Sequence, residues 1–184
     1  MDVFRTAEAG DAVAVAQLHA DSWRRHYRGA YSDSFLDGDI LTDRVRVWSG
    51  RLAEPSASSV ALTVLAEDDA GLAAFVHLVL DEDAQWGSLV DNLHVRLDRQ
   101  RGGLGRALLR RAAAGVVEGA GDRSMYLWVQ EQNVEAQRFY AAMGGTCVEK
   151  ALITPPGGVP GRLVGMPVKL RIAWADVVVA GLVS

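Results

Sequence analysis

Gln100-Arg101-Gly102-Gly103-Leu104-Gly105 is the stretch on which the reading of this chain turns. An apolar segment, Leu89 to Leu97, precedes it, and an amphipathic one, Leu104 to Val117, follows. A strand that feeds a glycine-rich turn and then a helix leaves the first N–H groups of that helix without intrahelical partners. Together with the positive end of the helix dipole, those donors make a site for phosphate. The glycines let a ligand approach the backbone, and Arg101 and Arg106 add positive charge. Three glycine-loop patterns compete. A P-loop ends in Gly-Lys-Ser/Thr, whereas Gly105 is followed by Arg106 and Ala107, so that pattern fails. A dinucleotide fingerprint is met only in part, by Gly103 and Gly105 but not by Leu108. Asp122, near the spacing of its acidic residue, lies before the next strand rather than at its end. The third pattern, Gln/Arg-x-x-Gly-x-Gly/Ala, is met in full. Taken alone, the six residues also suit a tight turn at the start of a helix.

The chain has 184 residues, enough for one domain over residues 1–184 with a sizeable core. Hydrophobic residues make up 49% and charged residues 23%, a globular balance. The net charge is −4, from 19 basic and 23 acidic side chains, so no nucleic-acid partner is expected. A weakly acidic surface is compatible with an amine substrate. The single cysteine, Cys147, excludes an intrachain disulfide and a cysteine-based zinc site. It stands in a strand-like run and is expected to be a buried, inert thiol. No secretory signal opens the sequence, and no run approaches the length of a membrane span. A cytoplasmic protein with no membrane partner and no metal is expected.

Val3 to Thr6 is a short strand, and Asp11 caps a helix with Val15, Leu18, Ser22 and Trp23 on its inner face. Turn signals, among them Asp37-Gly38-Asp39, mark Tyr27 to Leu41, and a second helix covers Asp43 to Leu52. Pro55 to Ser59 is a loop. Three strands follow, Val60 to Glu67, Leu72 to Leu80 and Ser88 to Leu97, the first two joined by a hairpin turn at Asp68-Asp69-Ala70-Gly71. The helix after the glycine loop presents Leu104, Leu108, Ala112 and Val116 as one stripe. Met125 to Gln130 is a strand, Asn133 caps a short helix ending at Gly144-Gly145, and Thr146 to Ile153 with Leu163 to Trp174 close the fold as an antiparallel pair. This order gives an α/β fold: a mixed, mostly antiparallel sheet with one parallel crossover.

Asn133 and Tyr140 stand seven residues apart, nearly two helical turns, and so share a face. Ala136, Phe139, Tyr140 and Met143 form the apolar stripe, which by itself also describes an ordinary capped amphipathic helix. In combination with the glycine loop some thirty residues earlier, however, Asn-x-x-Ala-x-x-Phe-Tyr-x-x-x-Gly resembles the second acetyl-CoA motif of the GCN5-related N-acetyltransferase (GNAT) family, whose pyrophosphate loop the first motif resembles. Asp91-Asn92-Leu93-His94-Val95 resembles the family's central strand, and Ser22-Trp23 through Tyr27-Arg28-Gly29 its acceptor-side helices. The resemblance covers about residues 3 to 175. Departures are modest: Gln100 stands where many members have Arg, and Gly145 where many have an aromatic or aliphatic residue.

The resemblance implies the single-domain acyl-CoA N-acyltransferase fold, with six to seven strands flanked by helices. It also implies transfer of an acetyl group from acetyl-CoA to an amine of a small molecule or peptide. Gln100, Arg101, Gly102, Gly103, Leu104, Gly105 and Arg106 would hold the pyrophosphate. Two parallel strands would splay beyond a bulge and admit the pantetheine arm to Leu93, His94 and Val95, with Asn133 and Phe139 beside it. Tyr140 would protonate the leaving thiolate. Asp91 and His94 are the leading candidates for the base, with a bulge deciding which faces the cleft, and His77 and Glu131 are weaker ones. Trp23, Tyr27, Tyr31, Trp128 and the loop from Pro155 to Gly161 would select the acceptor; the aromatic rings are equally suited to a core. A non-catalytic acyl-CoA sensor keeps the same loop without a base, and a nucleotide-dependent oxidoreductase would rest on the partial fingerprint alone. The apolar stretch Val168 to Val183 is a candidate for pairing across a homodimer.

Overall fold

The computed structural model describes residues 2–53 and 61–183. Its elements follow the expected order: β1 (Val3–Thr6), α1 (Ala12–His26), α2 (Ile40–Ala53), β2 (Ala61–Asp68), β3 (Gly71–Asp83), β4 (Gly87–Val95), α3 (Leu104–Gly119), β5 (Met125–Gln130), α4 (Val134–Ala142), β6 (Thr146–Leu152) and β7 (Val168–Trp174). The seven strands form one sheet in the order β1-β2-β3-β4-β5-β7-β6. Among the strands of the described residues, only β4 and β5 pair in parallel. The loop expected at Pro55 to Ser59, and Val60 of the expected second strand, lie outside the described residues.

Alternation along the strands sends side chains to two faces. On one face, Val76, Leu78, Val90, Leu127 and Val129 meet the α3 stripe of Leu104, Leu108, Ala112 and Val116, and Tyr140 of α4 with Met143 just past its end completes that core. On the other, Leu65 and Phe75 pack against Val15, Ala16 and Leu18 of α1 and Trp48 of α2. A hairpin joins β2 to β3, with Gly71 at φ 98° taking the left-handed conformation its turn requires. Gly145 has a packing reason for being small: a Cβ there would lie 2.5 Å from Ile172 Cγ2 and 2.8 Å from Trp174 Cζ2.

Several local expectations are corrected. Asp37-Gly38-Asp39 is not a turn but part of a π-helical segment, Phe35–Asp39, that runs directly into α2. Its burial of Phe35 and Leu36 outweighs the turn preference of the polar residues. Asp11 does not cap α1 by bonding its first turn; its carboxylate accepts from the Glu8 N–H at 2.7 Å and is gripped by the Arg5 guanidinium. Cys147 is exposed rather than buried, because β6 is an edge strand with little packed on either side. The stretch Val168 to Val183 offers no free strand edge. Val168–Trp174 is interior, between β5 and β6, and Val177 and Leu182 of the following turns join the α3 core.

Leu108 is fully buried at the centre of the α3 stripe. Leu108→Ala is expected to cost about 2–5 kcal/mol of stability, measured by urea unfolding at neutral pH; a loss below about 0.5 kcal/mol, the level of surface substitutions, would contradict this packing.

Candidate active site

The parallel seam is short. Ser88, Leu89 and Val90 pair with Met125, Tyr126 and Leu127, and the ladder then stops. The cause lies on the other side of β4. His77 of β3 pairs with Asn92 while Leu78 pairs with Val90, so Asp91 is an extra residue without a partner. Such a bulge bends its strand and raises the local twist, and here it turns β4 away from β5. A cleft of about 670 Å³ opens between the strands. Arg96 donates its backbone N–H to Ala73 of β3 at 2.8 Å. Strand alternation therefore aims the N–H groups of Leu93 and Val95 the other way, into the gap.

The glycine loop closes one end of this cleft. Arg101 adopts φ 63° and Gly103 φ 90°, and Gly103 is the residue before the first turn of α3. Two left-handed residues in three turn the chain sharply, so that the first N–H groups of α3 lack intrahelical partners beside the cleft. Arg101 is 88% exposed and makes one long contact, 3.3 Å, with Glu135. Gly105 faces the Phe139 ring, and a Cβ there would lie 3.5 Å from it. The loop is held from behind: Arg96 and Arg99 both pair with Asp68, and Arg99 also reaches Asp2 at 2.6 Å.

Most of the residues named from the sequence converge on the cleft. Leu93, His94 and Val95 line it from β4, and Gln100, Arg101, Gly103, Gly105 and Arg106 from the loop and α3. Asn133, Phe139 and Tyr140 line it from α4, and Tyr27 and Trp128 from the α1 side and β5. Asn133 also caps α4, its side chain accepting from the Ala136 N–H at 3.2 Å. Gln100 folds back and donates to the Val95 carbonyl at 3.2 Å. Gly102 and Leu104 shape the loop without lining the cleft, Leu104 being buried in the α3 core. Trp23 and Tyr31 stack on each other at 4.9 Å behind the cleft, with Arg44 over the Trp23 ring. His77 is occupied elsewhere, with Thr63 at 2.7 Å, and Glu131 pairs with Lys150 at 2.6 Å.

Asp91 and His94 both border the opening, in different states. The Asp91 carboxylate is exposed, pairs with Arg51 of α2 at 2.6 Å and accepts from the Asn92 amide. His94 lies under α1, with Ser22 Oγ 2.8 Å from Nδ1 and the His19 ring 4.6 Å away. Burial, with the charge of His26 next, pushes its imidazole down to about 3. His94 is therefore neutral at neutral pH. Burial likewise lifts the Tyr140 phenol above its usual range, so it remains a protonated donor. Arg51 and His19 carry no local signal in the sequence, and Ser22, expected on the inner face of α1, gives none of its pairing with His94; only the packing of α1 and α2 across the sheet brings them to β4.

The sequence model of the Acetyltransferase (GNAT) family matches residues 13–144. The chain belongs to this family. Among curated relatives it is 29% identical over 137 residues to the uncharacterized N-acetyltransferase YuaI of Bacillus subtilis strain 168, covering 72% of this chain and 74% of that one. PaiA N-acetyltransferase from Thermoplasma acidophilum, solved in complex with coenzyme A, superposes with a TM-score of 0.70 at 18% identity, covering 92% of this chain and 98% of that one. Arabidopsis thaliana NAA60, solved in complex with acetyl-CoA, superposes with a TM-score of 0.65 at 16% identity, covering 95% and 98%. The fold is thus the GNAT fold, and the protein is an acyltransferase of that family.

The depressed histidines make stability pH-dependent. Burial, with Arg51 next, also lowers His77, to about 4. Below the unfolded pKa of about 6.5, the unfolded chain takes up protons that folded His94 and His77 refuse. The native state is then disfavoured progressively as pH falls toward 4. The unfolding free energy should fall between pH 7 and 5 by up to about 1.4 kcal/mol per pH unit per histidine, read from urea titrations, with a shallower slope in His94→Gln. A flat profile over that range would contradict the placement of both rings.

Proposed function

We propose that this acyltransferase moves an acetyl group from acetyl-CoA to the primary amine of a small molecule or a peptide N-terminus, by direct attack in one cleft. The observation that carries this reading is the junction of two features: the left-handed loop at the start of α3 and the seam that opens at the Asp91 bulge. The N–H groups at the start of α3, with Arg101 and Arg106, suit a pyrophosphate. The gap beside Leu93 and Val95 suits an extended arm that pairs with β4 as an added strand. Acetyl-CoA supplies the activated acyl group and the thiolate leaving group.

The residues of the cleft divide the remaining work. One of the N–H groups of Leu93 and Val95 polarises the thioester carbonyl, a role worth about 3 kcal/mol. The acceptor arrives as an ammonium with a pKa of about 10.4 and must lose a proton before it attacks. Asp91 is the group we assign to that proton, directly or through water, because its carboxylate is exposed at the bulge. His94 has given up basicity to burial and, with Ser22, supports the wall of the cleft. Tyr140 donates its phenolic proton to the departing sulfur. Nothing in this sequence of steps uses Cys147, which stands exposed on β6.

Tyr140→Phe should lower kcat about 10²-fold or more, in the range of general-acid effects, while the acetyl-CoA dissociation constant stays within about twofold. Unchanged turnover would remove Tyr140 from the acid role. Gly105→Leu sets a bulky side chain beside Phe139 and Val95, where the loop meets the cleft, and should weaken acetyl-CoA binding at least about tenfold, or 1.4 kcal/mol, by calorimetric titration. Unaltered affinity in the folded variant would mean that the loop is a turn and nothing more.

A further inference from the structure

The alternation of β5 puts Trp128 and Gln130 on the sheet face covered by α1 and α2, the side opposite α3. Gln130 pairs across the ladder with Lys169 of β7. The Lys169 ammonium lies 4.3 Å over the Trp128 ring, whose residue lines the cleft. Among the described residues the neighbouring cations are each matched by carboxylates: Arg171 by Asp83 and Glu149, Arg51 by Asp91, Lys150 by Glu131. Lys169 has no such partner among them. Burial, with Arg171 next, lowers its pKa, and the opposing carboxylates, Glu149 and Asp91, act on it only through space. The Lys169 ammonium is thus half-buried against an aromatic face, with no carboxylate in contact with it among the described residues.

Gln130 points to a ligand independently. It is 6% exposed, and neither Oε1 nor Nε2 has a hydrogen-bond partner among the described residues. The Tyr31 phenol faces it but falls short of hydrogen-bonding geometry. A ligand oxygen that reached this amide would accept from Nε2, while Oε1 would need a ligand N–H. Gln130 is not part of the cleft lining; it borders a second cavity of about 320 Å³, together with Gly29, Glu131 and Pro167.

Building on the transferase reading, we propose that the acceptor is an amine that also carries a carboxylate, of the kind found in a free amino acid, and that Lys169 and Gln130 receive its anionic oxygens while Trp128 flanks its body. A polycationic amine would instead bring positive charge against Lys169 and Arg171.

The test compares L-phenylalanine and L-leucine with their carboxamides, and with spermidine, on two readouts. One is calorimetric binding to the CoA-loaded protein; the other is CoA release from acetyl-CoA. The acids should bind and turn over at least tenfold better than their amides, and better than spermidine. In Lys169→Met that preference should collapse toward one, and in Lys169→Arg it should largely return. Equal handling of acid and amide, preference for spermidine, or a preference that survives Lys169→Met would overturn the proposal. The two readings fail differently. Selective acid binding without any CoA release would refute the transferase reading and leave anion recognition standing. Turnover without acid preference would do the reverse.

Discussion

The site depends on a place where a β-ladder fails. A parallel pair in the middle of a sheet would ordinarily continue as far as both strands do, because unpaired backbone groups are costly. Here the pairing of β4 with β5 ends at Val90 and Leu127, although β5 runs on to Gln130 and β4 to Val95. One extra residue, Asp91, causes the break by shifting β4 against β3. The bulge thus does two things: it frees a row of backbone donors to face a ligand, and it leaves a carboxylate at the point where the strands part.

The surrounding structure keeps that gap open and in register. On one face, the buried α3 stripe clamps the sheet and fixes where the glycine loop delivers its N–H groups. On the other, α1 and α2 hold His94 through Ser22 and Asp91 through Arg51. The two ionisable residues of β4 are separated in character by this packing. One is exposed and paired with a cation; the other is desolvated into neutrality. In the proposed reaction, cofactor binding at the loop and proton transfer at the bulge would meet along a single strand.

Much of this is legible in the sequence, for a physical reason. The glycine loop, the α3 stripe and the spacing from Asn133 to Tyr140 are local patterns, set by helix geometry and by where a backbone can turn, and the structure places them as their periodicity implies. What escapes is set by register between distant strands and by packing across the sheet. Arg51 meets Asp91, and Lys169 meets Trp128, only because separate elements cross there. The exposure of Cys147 follows from β6 being at the edge, a property of strand order and not of neighbouring residues. Trp23 and Tyr31 have the composition of a binding pocket, yet their rings satisfy each other. The segment from Phe35 to Asp39 reads as a turn and is drawn into a helix by two buried apolar side chains.

The central claim is that β4 beyond the bulge receives the acyl donor as a missing strand would. Amide hydrogen exchange at single-residue resolution, with and without saturating acetyl-CoA, tests it most directly. Protection is expected to rise at the Leu93 and Val95 amides and at the first turn of α3, while Arg96, already bonded to Ala73, changes little. Unchanged exchange at Leu93 and Val95 in a protein shown to be saturated would contradict it.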